Sequence, residues 1–141
     1  MSAYSEQNME ALDLVRSVLA DWARGDWSSV EWASPEIEFL FADGPNPGRW
    51  TGVAGMREVF LDFLRAWEGL GVEPTEYREL DGERVLVLVH FSGRGKTSGL
   101  DLAQVQPKNA ALFHIGDGKV TKLVLYWDSD RALADLGLEE V

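Results

Sequence analysis

The chain has two histidines, His90 and His114, and imidazole is the side chain that ordinarily titrates near neutral pH. His90 falls in the apolar, β-branched segment Arg84 to Phe91, which is typical of a strand. An imidazole there can act as a general acid or base, or it can orient a ligand through a hydrogen bond. The alternative is a buried histidine bonded to a carboxylate or a backbone carbonyl. His90 is therefore the candidate catalytic residue, with both interpretations open.

A functional and a structural interpretation can also be compared for three carboxylates, Glu38, Asp101 and Asp128. Glu38 can present a carboxylate from a strand, but an exposed strand position explains it as well. Asp101 follows a glycine turn, where it can enter a pocket mouth or only stabilise the turn. Asp128 is expected in the turn before the last helix. The histidines lack the helical spacing of metal ligands and no carboxylate cluster joins them, so we predict no metal and no cofactor.

Composition excludes several classes of function. The net charge of −11 repels nucleic-acid phosphates and anionic lipids, so we expect neither nucleic-acid nor membrane partners. The absence of cysteine excludes disulfides, thiolate catalysis and zinc–sulfur sites. The first residues lack a signal-peptide pattern, and a cytoplasmic location is the expectation. The length fits one domain, residues 1–141, with an ordered core of about 6–137.

Apolar residues recur at helical spacing in two segments. The first helix ends at Gly25, which suits a left-handed cap, and the second is expected to begin after Thr51 as its N-cap. Between them, Asp26 is placed to cap a short helix that carries Trp27 and Trp32. The two apolar faces consist of Leu12, Val15, Leu19 and Trp22, and of Met56, Phe60, Phe63 and Trp67.

The rest of the chain indicates strands joined largely by hairpins, with a short final helix from Ser129. A kink is expected at Pro107. This order predicts an α+β fold with helices on one face of an antiparallel sheet. The predicted strands are Ile37 to Phe41, Val72 to Leu80, Arg84 to Phe91, Leu100 to Ile115 and Lys119 to Asp128.

The order of elements and several short phrases resemble the SnoaL-like branch of the nuclear transport factor 2-like superfamily. The phrases are Ala23-Arg24-Gly25-Asp26, Trp50-Thr51-Gly52 with Gly55, Ser92-Gly93-Arg94-Gly95, Ser98-Gly99-Leu100-Asp101, Gly116-Asp117-Gly118-Lys119-Val120, and Tyr126-Trp127-Asp128 with Ala132-Leu133. The resemblance implies a cone-shaped fold, in which a strongly curved antiparallel sheet wraps around three helices and an apolar pocket opens at one end. It also implies frequent dimers through the outer face of the sheet.

The chemistries known in this family require polar residues at particular positions. Counting from the shared phrases places the tyrosine and the two aspartates of ketosteroid isomerases at Val18, Leu40 and Ala110. The last-strand aspartate of the epoxide hydrolases falls at or near Leu125. Neither catalytic set is present. The pocket carboxylate of the SnoaL-type cyclases has no secure counterpart.

The same counting, with strand residues two apart sharing a face, predicts the lining of the pocket. His90 is the titratable group placed deepest in it. The predicted ligand-binding residues are Val18, Trp22, Leu40, Met56, Phe60, Leu86, Leu88, Ala110, Leu112, Leu125 and Trp127.

Two functions remain open at this point. The first is binding of a small hydrophobic molecule, with or without acid/base activity of the isomerase or cyclase type. The second is a non-catalytic, dimeric interaction module whose pocket is filled by its own side chains. A homodimer is expected because Val85, Val87, Val89 and Phe91 alternate with the predicted inward set and would form a large exposed apolar patch.

Overall fold

Three helices and six strands make up the part of the chain that the structure, a computed structural model, describes: residues 3–27, 30–43, 47–96, 98–101, 104 and 108–138. Pro107, where a kink is predicted, lies outside these residues. In chain order the elements are α1 (Ala3–Ala23), β1 (Ala33–Phe41), β2 (Gly48–Thr51), α2 (Val53–Ala66), β3 (Trp67–Glu79), β4 (Arg84–Gly95), β5 (Asn109–Gly116), β6 (Lys119–Tyr126) and α3 (Ser129–Asp135).

Helix α1 ends as its sequence predicts. Gly25 has a φ of 83°, its N–H donates to the carbonyl of Trp22 at 2.9 Å, and the N–H of Asp26 donates to the carbonyl of Asp21 at 2.8 Å. This pair of bonds is the Schellman motif. The prediction of a short helix from Asp26 is wrong. Within that segment the structure describes residues 26–27 and 30–32, and none of these is helical. The N–H of Asp26 completes the cap of α1, and Trp27 folds back to stack on Trp22.

Helix α2 begins and ends differently from the prediction. Its N-cap is Gly52, without a side-chain hydrogen bond, and Thr51 instead pairs with Glu38 in the ladder between β1 and β2. The predicted N-cap at Thr51 is therefore wrong, because its backbone belongs to a strand. The helix stops at Ala66, and Trp67 has extended backbone and opens β3.

The strands form one sheet in the order β2-β1-β6-β5-β4-β3. β1 runs parallel to β6, and every other neighbouring pair is antiparallel. The predicted α+β class with a curved sheet is confirmed. The sheet is unclosed, and the parallel pair of β1 and β6 makes it mixed, whereas an antiparallel sheet was predicted. None of the helices in the described residues is long and apolar enough to cross a membrane.

The face of the sheet that packs on α1 and α2 is the opposite of the one predicted for β4. Val85, Val87, Val89 and Phe91 are 0–7% exposed and belong to the core that α1 and α2 share with the sheet. They leave no exposed apolar patch on the outside. These residues therefore do not form the exposed patch from which a homodimer was predicted, and the homodimer stays a prediction.

Part of the outer face of the sheet is also apolar, and α3 covers that part. Leu86 and Leu112 pack there with Ala132 and Leu133 of α3. A strand that is buried on both faces shows no alternation, so its sequence does not reveal which face is inward. Residues directly opposite each other share a face, and Ala110 lies opposite Tyr126, not Trp127.

Asn109 ties the ends of two strands together from a buried position. Its side chain is 1% exposed; Oδ1 accepts the N–H of Phe91 at 3.0 Å, and Nδ2 donates to the carbonyl of Trp127 at 2.7 Å. The N–H of Phe91 and the carbonyl of Trp127 thus bond to this side chain instead of to the backbone of a neighbouring strand. The amide therefore satisfies a donor and an acceptor that burial would leave unpaired.

We expect Asn109→Ala to lower the free energy of unfolding by about 1–3 kcal/mol, because it orphans these buried backbone groups. Urea unfolding followed by circular dichroism measures the loss. Thr121→Ala is the control, since it removes an exposed hydroxyl that donates to the His114 carbonyl and should change stability by less than about 0.5 kcal/mol. Equal losses in the two variants would contradict this role for Asn109.

A row of charged side chains crosses the other end of the outer face. His114 in β5 lies directly opposite Arg84 in β4 and Lys122 in β6. Burial lowers the pKa of His114, and the charges of Lys122 and Arg84 lower it further, whereas Asp81 and Glu38 act weakly in the opposite direction. The folded protein thus favours the neutral imidazole.

This shift predicts a loss of stability on acidification. As the pH falls through the ordinary histidine pKa of about 6.5, the unfolded chain takes up the proton before the folded chain does, so the free energy of unfolding decreases. Urea midpoints measured between pH 7.5 and pH 5 should fall less in His114→Gln than in the wild type, and Lys122→Gln should lie between them. An unchanged pH dependence in His114→Gln would show that this residue is not responsible.

Candidate functional site

A cavity of about 570 Å³ lies between α2 and the helix-facing side of the sheet. Its wall is mostly aromatic and aliphatic. Among the described residues, the charged or hydroxyl-bearing side chains on it are three carboxylates, one serine and Tyr126. Its aromatic lining includes Phe41, Trp50, Phe63, Trp67, Phe91 and Trp127.

Phe63 of α2 joins the rings that three strands contribute to this wall. Its ring centroid lies 6.2 Å from that of Phe41 in β1, 6.2 Å from that of Trp67 in β3 and 6.5 Å from that of Phe91 in β4. These distances are those of interacting aromatic pairs. Phe63 is only half-buried, so part of this aromatic surface faces the cavity.

A second aromatic layer supports the wall from behind. Trp22 is 1% exposed and stacks on Trp27 at 4.9 Å between ring centroids, and Trp27 in turn contacts Phe60 edge-on at 5.8 Å. Trp27 and Phe60 line the cavity, whereas Trp22 does not. Val18 and Met56, at 1% and 0% exposure, belong to the same core. Val18, Trp22 and Met56, predicted as pocket residues, therefore lie behind the lining.

The other predicted ligand-binding residues divide by the face of the sheet. Phe60, Leu125 and Trp127 line the cavity. The predicted placement of the remaining five in the pocket is wrong, because they lie on the outer face of the sheet, under or near α3. Strands that are buried on both faces do not show in their sequence which face is inward. These five are Leu40, Leu86, Leu88, Ala110 and Leu112.

His90 also lies on the outer face. It is opposite Glu73 of β3 and borders a separate depression of about 310 Å³, together with Glu76 and Lys108. The sequence pattern predicts His90 deep in the apolar pocket, and that placement is wrong. Its role as a general base stays a prediction, now without the position that motivated it.

The carboxylate that reaches the cavity wall from the sheet is Asp43, just after β1. Its Oδ1 accepts the N–H of Trp127 at 2.6 Å, and its Oδ2 accepts the N–H of Asp128 at 3.2 Å. Both oxygens are thereby fixed in position at the end of β6. The side chain is half-buried and lines the cavity.

The carboxylates singled out from the sequence serve other purposes. Glu38 lies on the outer face, 3.6 Å from Arg49. The backbone of Asp101 forms an isolated antiparallel β-bridge with that of Arg94. Asp128 is the N-cap of α3, where its carboxylate accepts the N–H of Asp130 at 3.0 Å. In the described part of the chain, no three side chains of the types that bind metals lie close enough to hold an ion.

Most of the residues that line the cavity were not predicted to do so, and four of these are Trp27, Trp50, Trp67 and Asp43. Two of them carried usable signals. Trp67 continues the apolar face of α2, four residues after Phe63, and Asp43 follows the alternating strand Ile37 to Phe41 directly. Trp50 gave no such signal, because its four-residue strand follows a segment rich in Gly and Pro that indicates a loop.

Comparison with known proteins places this geometry in a recognised fold. A proposed polyketide cyclase from Sinorhizobium meliloti is 23% identical (84% of this chain, 97% of that one, TM-score 0.63), and a proposed isomerase from Bacillus subtilis is 21% identical (94% and 96%, TM-score 0.68). A Xanthomonas campestris protein of unknown function with a cystatin-like fold is 21% identical (82% and 88%, TM-score 0.67).

At these identities the structural likeness shows the fold alone. Curated protein sequences give no significant match. The sequence profile of the SnoaL-like domain, in contrast, matches residues 15–123, which is most of the chain and includes the C-terminal part of α1, all of α2 and the strands up to the middle of β6. The chain therefore belongs to the SnoaL-like family.

Proposed function

We propose that this protein binds a small hydrophobic molecule, of aromatic or polyketide-like type, in the cavity beside α2. The observation that carries the proposal is the combination of volume and lining. At about 570 Å³ the cavity is within the range of small-molecule sites, and its walls are formed mainly by aromatic rings. Such surfaces gain free energy when an apolar ligand displaces water from them.

The alternative, a pocket filled by the protein's own side chains, accounts less well for the packing. Trp22 and Met56 do fill the core, as that alternative requires. They lie behind Trp27 and Phe60, however, and the space in front of these rings remains. The aromatic wall therefore favours a binding function over a purely structural one.

Acid/base catalysis is a second candidate, and Asp43 is the observation that favours it. A SnoaL-type cyclase uses a pocket carboxylate as its acid/base group, and Asp43 is a carboxylate on the cavity wall that two backbone N–H groups hold in position. It would accept a proton from an acidic C–H beside a carbonyl, leaving an enolate on the substrate. A positioned base of this kind typically contributes ~10²–10⁴ in rate.

A neutral aromatic probe tests the binding function directly. We expect 2-naphthylmethanol to raise the melting temperature of the wild type, since a ligand that binds only the folded state adds about 2.7 kcal/mol when present at 100 times its Kd. Phe63→Leu, which removes the ring that joins three strands, should weaken binding about tenfold by titration calorimetry, because a stacked pair is worth about 0.5–1.5 kcal/mol beyond its buried area.

Leu61→Ala is the matched control, because Leu61 lies on the same helix, is 48% exposed and is not part of the cavity wall. This variant should bind the probe as the wild type does. If the probe changes neither the melting temperature nor the calorimetric heat of the wild type, and a wider set of neutral aromatic compounds behaves alike, the cavity is not a binding site of this kind.

A further inference from the structure

The charges around the cavity point to a narrower class of ligand, and this step rests on the proposed function. We propose that the cavity prefers hydrophobic molecules that carry an amine or another cationic group, and disfavours the corresponding carboxylates. The observation is the sign of the ionisable side chains on the wall. Asp43, Glu58 and Asp62 line the cavity, and among the described lining residues none is Lys, Arg or His.

Asp43 provides the fixed part of this negative charge. Each of its oxygens accepts one backbone N–H, which leaves a further lone pair on each oxygen for a ligand's N–H. Since the carboxylate is half-buried, its attraction for a nearby cation is less screened than it would be in bulk water. An anionic ligand in the same place would have no described cation on the wall to offset the repulsion.

Glu58 and Asp62 lie one turn apart on α2 and are exposed at the cavity. Arg65 lies 3.8 Å from Asp62, but both side chains are at least three-quarters exposed, at 75% and 79%. An exposed pair of this kind is weak and does not remove the local negative potential. Together with the net charge of −11, these carboxylates attract a cation toward the cavity and repel an anion.

The aromatic wall adds a contribution of the same sign. Faces of Trp, Tyr and Phe rings attract cations within about 6 Å of the ring centroid, and tryptophan does so best. Trp127 lines the cavity and donates its backbone N–H to Asp43. The carboxylate and an aromatic ring of the type that cations prefer therefore belong to neighbouring residues of the wall. An ammonium group placed between them gains from both, whereas a carboxylate gains from neither.

Three ligands that share one ring system separate this inference from the proposed function. They are 2-naphthylmethylamine, a cation near pH 7, the neutral 2-naphthylmethanol, and the anion 2-naphthoate. By calorimetry at low salt, we expect the amine to bind about tenfold more tightly than the carboxylate, with the alcohol between them. Adding about 0.5 M salt should narrow the gap, because it screens the exposed carboxylates of α2.

Variants identify which charges are responsible. Asp43→Asn should reduce the preference for the amine severalfold, and the double variant Glu58→Gln with Asp62→Asn should reduce it without touching a buried group. Asp13→Asn is the matched control, because it removes one negative charge from an exposed position on α1 that is not part of the cavity wall. The control should keep the preference of the wild type.

The outcomes are distinct. If neither the alcohol nor the wider set of neutral aromatic compounds binds, the proposed function fails and this inference fails with it. If the alcohol binds but the amine and the carboxylate bind equally well, or the carboxylate binds better, only the charge preference is overturned. A preference that Asp13→Asn reduces as much as the cavity variants do would arise from net charge alone, and would also overturn the inference.

Discussion

The backbone of Trp127 is the junction on which the rest of the site depends. Its N–H donates to Asp43 at 2.6 Å and its carbonyl accepts from Asn109 at 2.7 Å. Asp43 follows β1, Asn109 opens β5, and the other end of the Asn109 amide binds Phe91 of β4. Buried polar groups are rarely left unpaired, so these bonds fix the ends of four strands relative to one another. The positions of the Trp127 and Phe91 rings on the cavity wall follow from that arrangement.

The cavity beside this junction persists because the rings around it support one another. Trp22 is packed against Trp27, Phe60 and Phe113, with centroid distances of 4.9, 5.9 and 6.0 Å. Such a layer cannot move forward into the cavity without breaking several aromatic contacts at once. The apolar wall of such an open cavity keeps in contact with water an area that a filled core would bury, and this costs folding free energy. The stability lost there is available to a ligand that fills it.

The sequence predicts elements with one buried face well and elements with two buried faces poorly. The stripe of α1, its end at Gly25 and the inward side chains Leu125 and Trp127 could all be read from spacing. The face of β4 could not, because Val85 and Leu86 are both fully buried, one against the helices and the other under α3. The roles of Asp43 and Asn109 were beyond reach for another reason. Their partners are backbone groups 84 and 18 residues away, and no local pattern encodes such bonds.

The segment that follows β6 links the two faces of the sheet. The N–H of Asp128 donates to Asp43, at the cavity, while the carboxylate of Asp128 caps α3 through the N–H of Asp130. Helix α3 then covers the outer apolar face, and Tyr126 bonds Asp135 at 3.3 Å to hold it there. Burial, and then the neighbouring Asp135 carboxylate, raise the pKa of Tyr126, which keeps its hydroxyl in the donor form that this bond needs. A change at Asp43 therefore acts on the cavity wall and on the covering helix together, and its effect on binding has to be separated from its effect on stability.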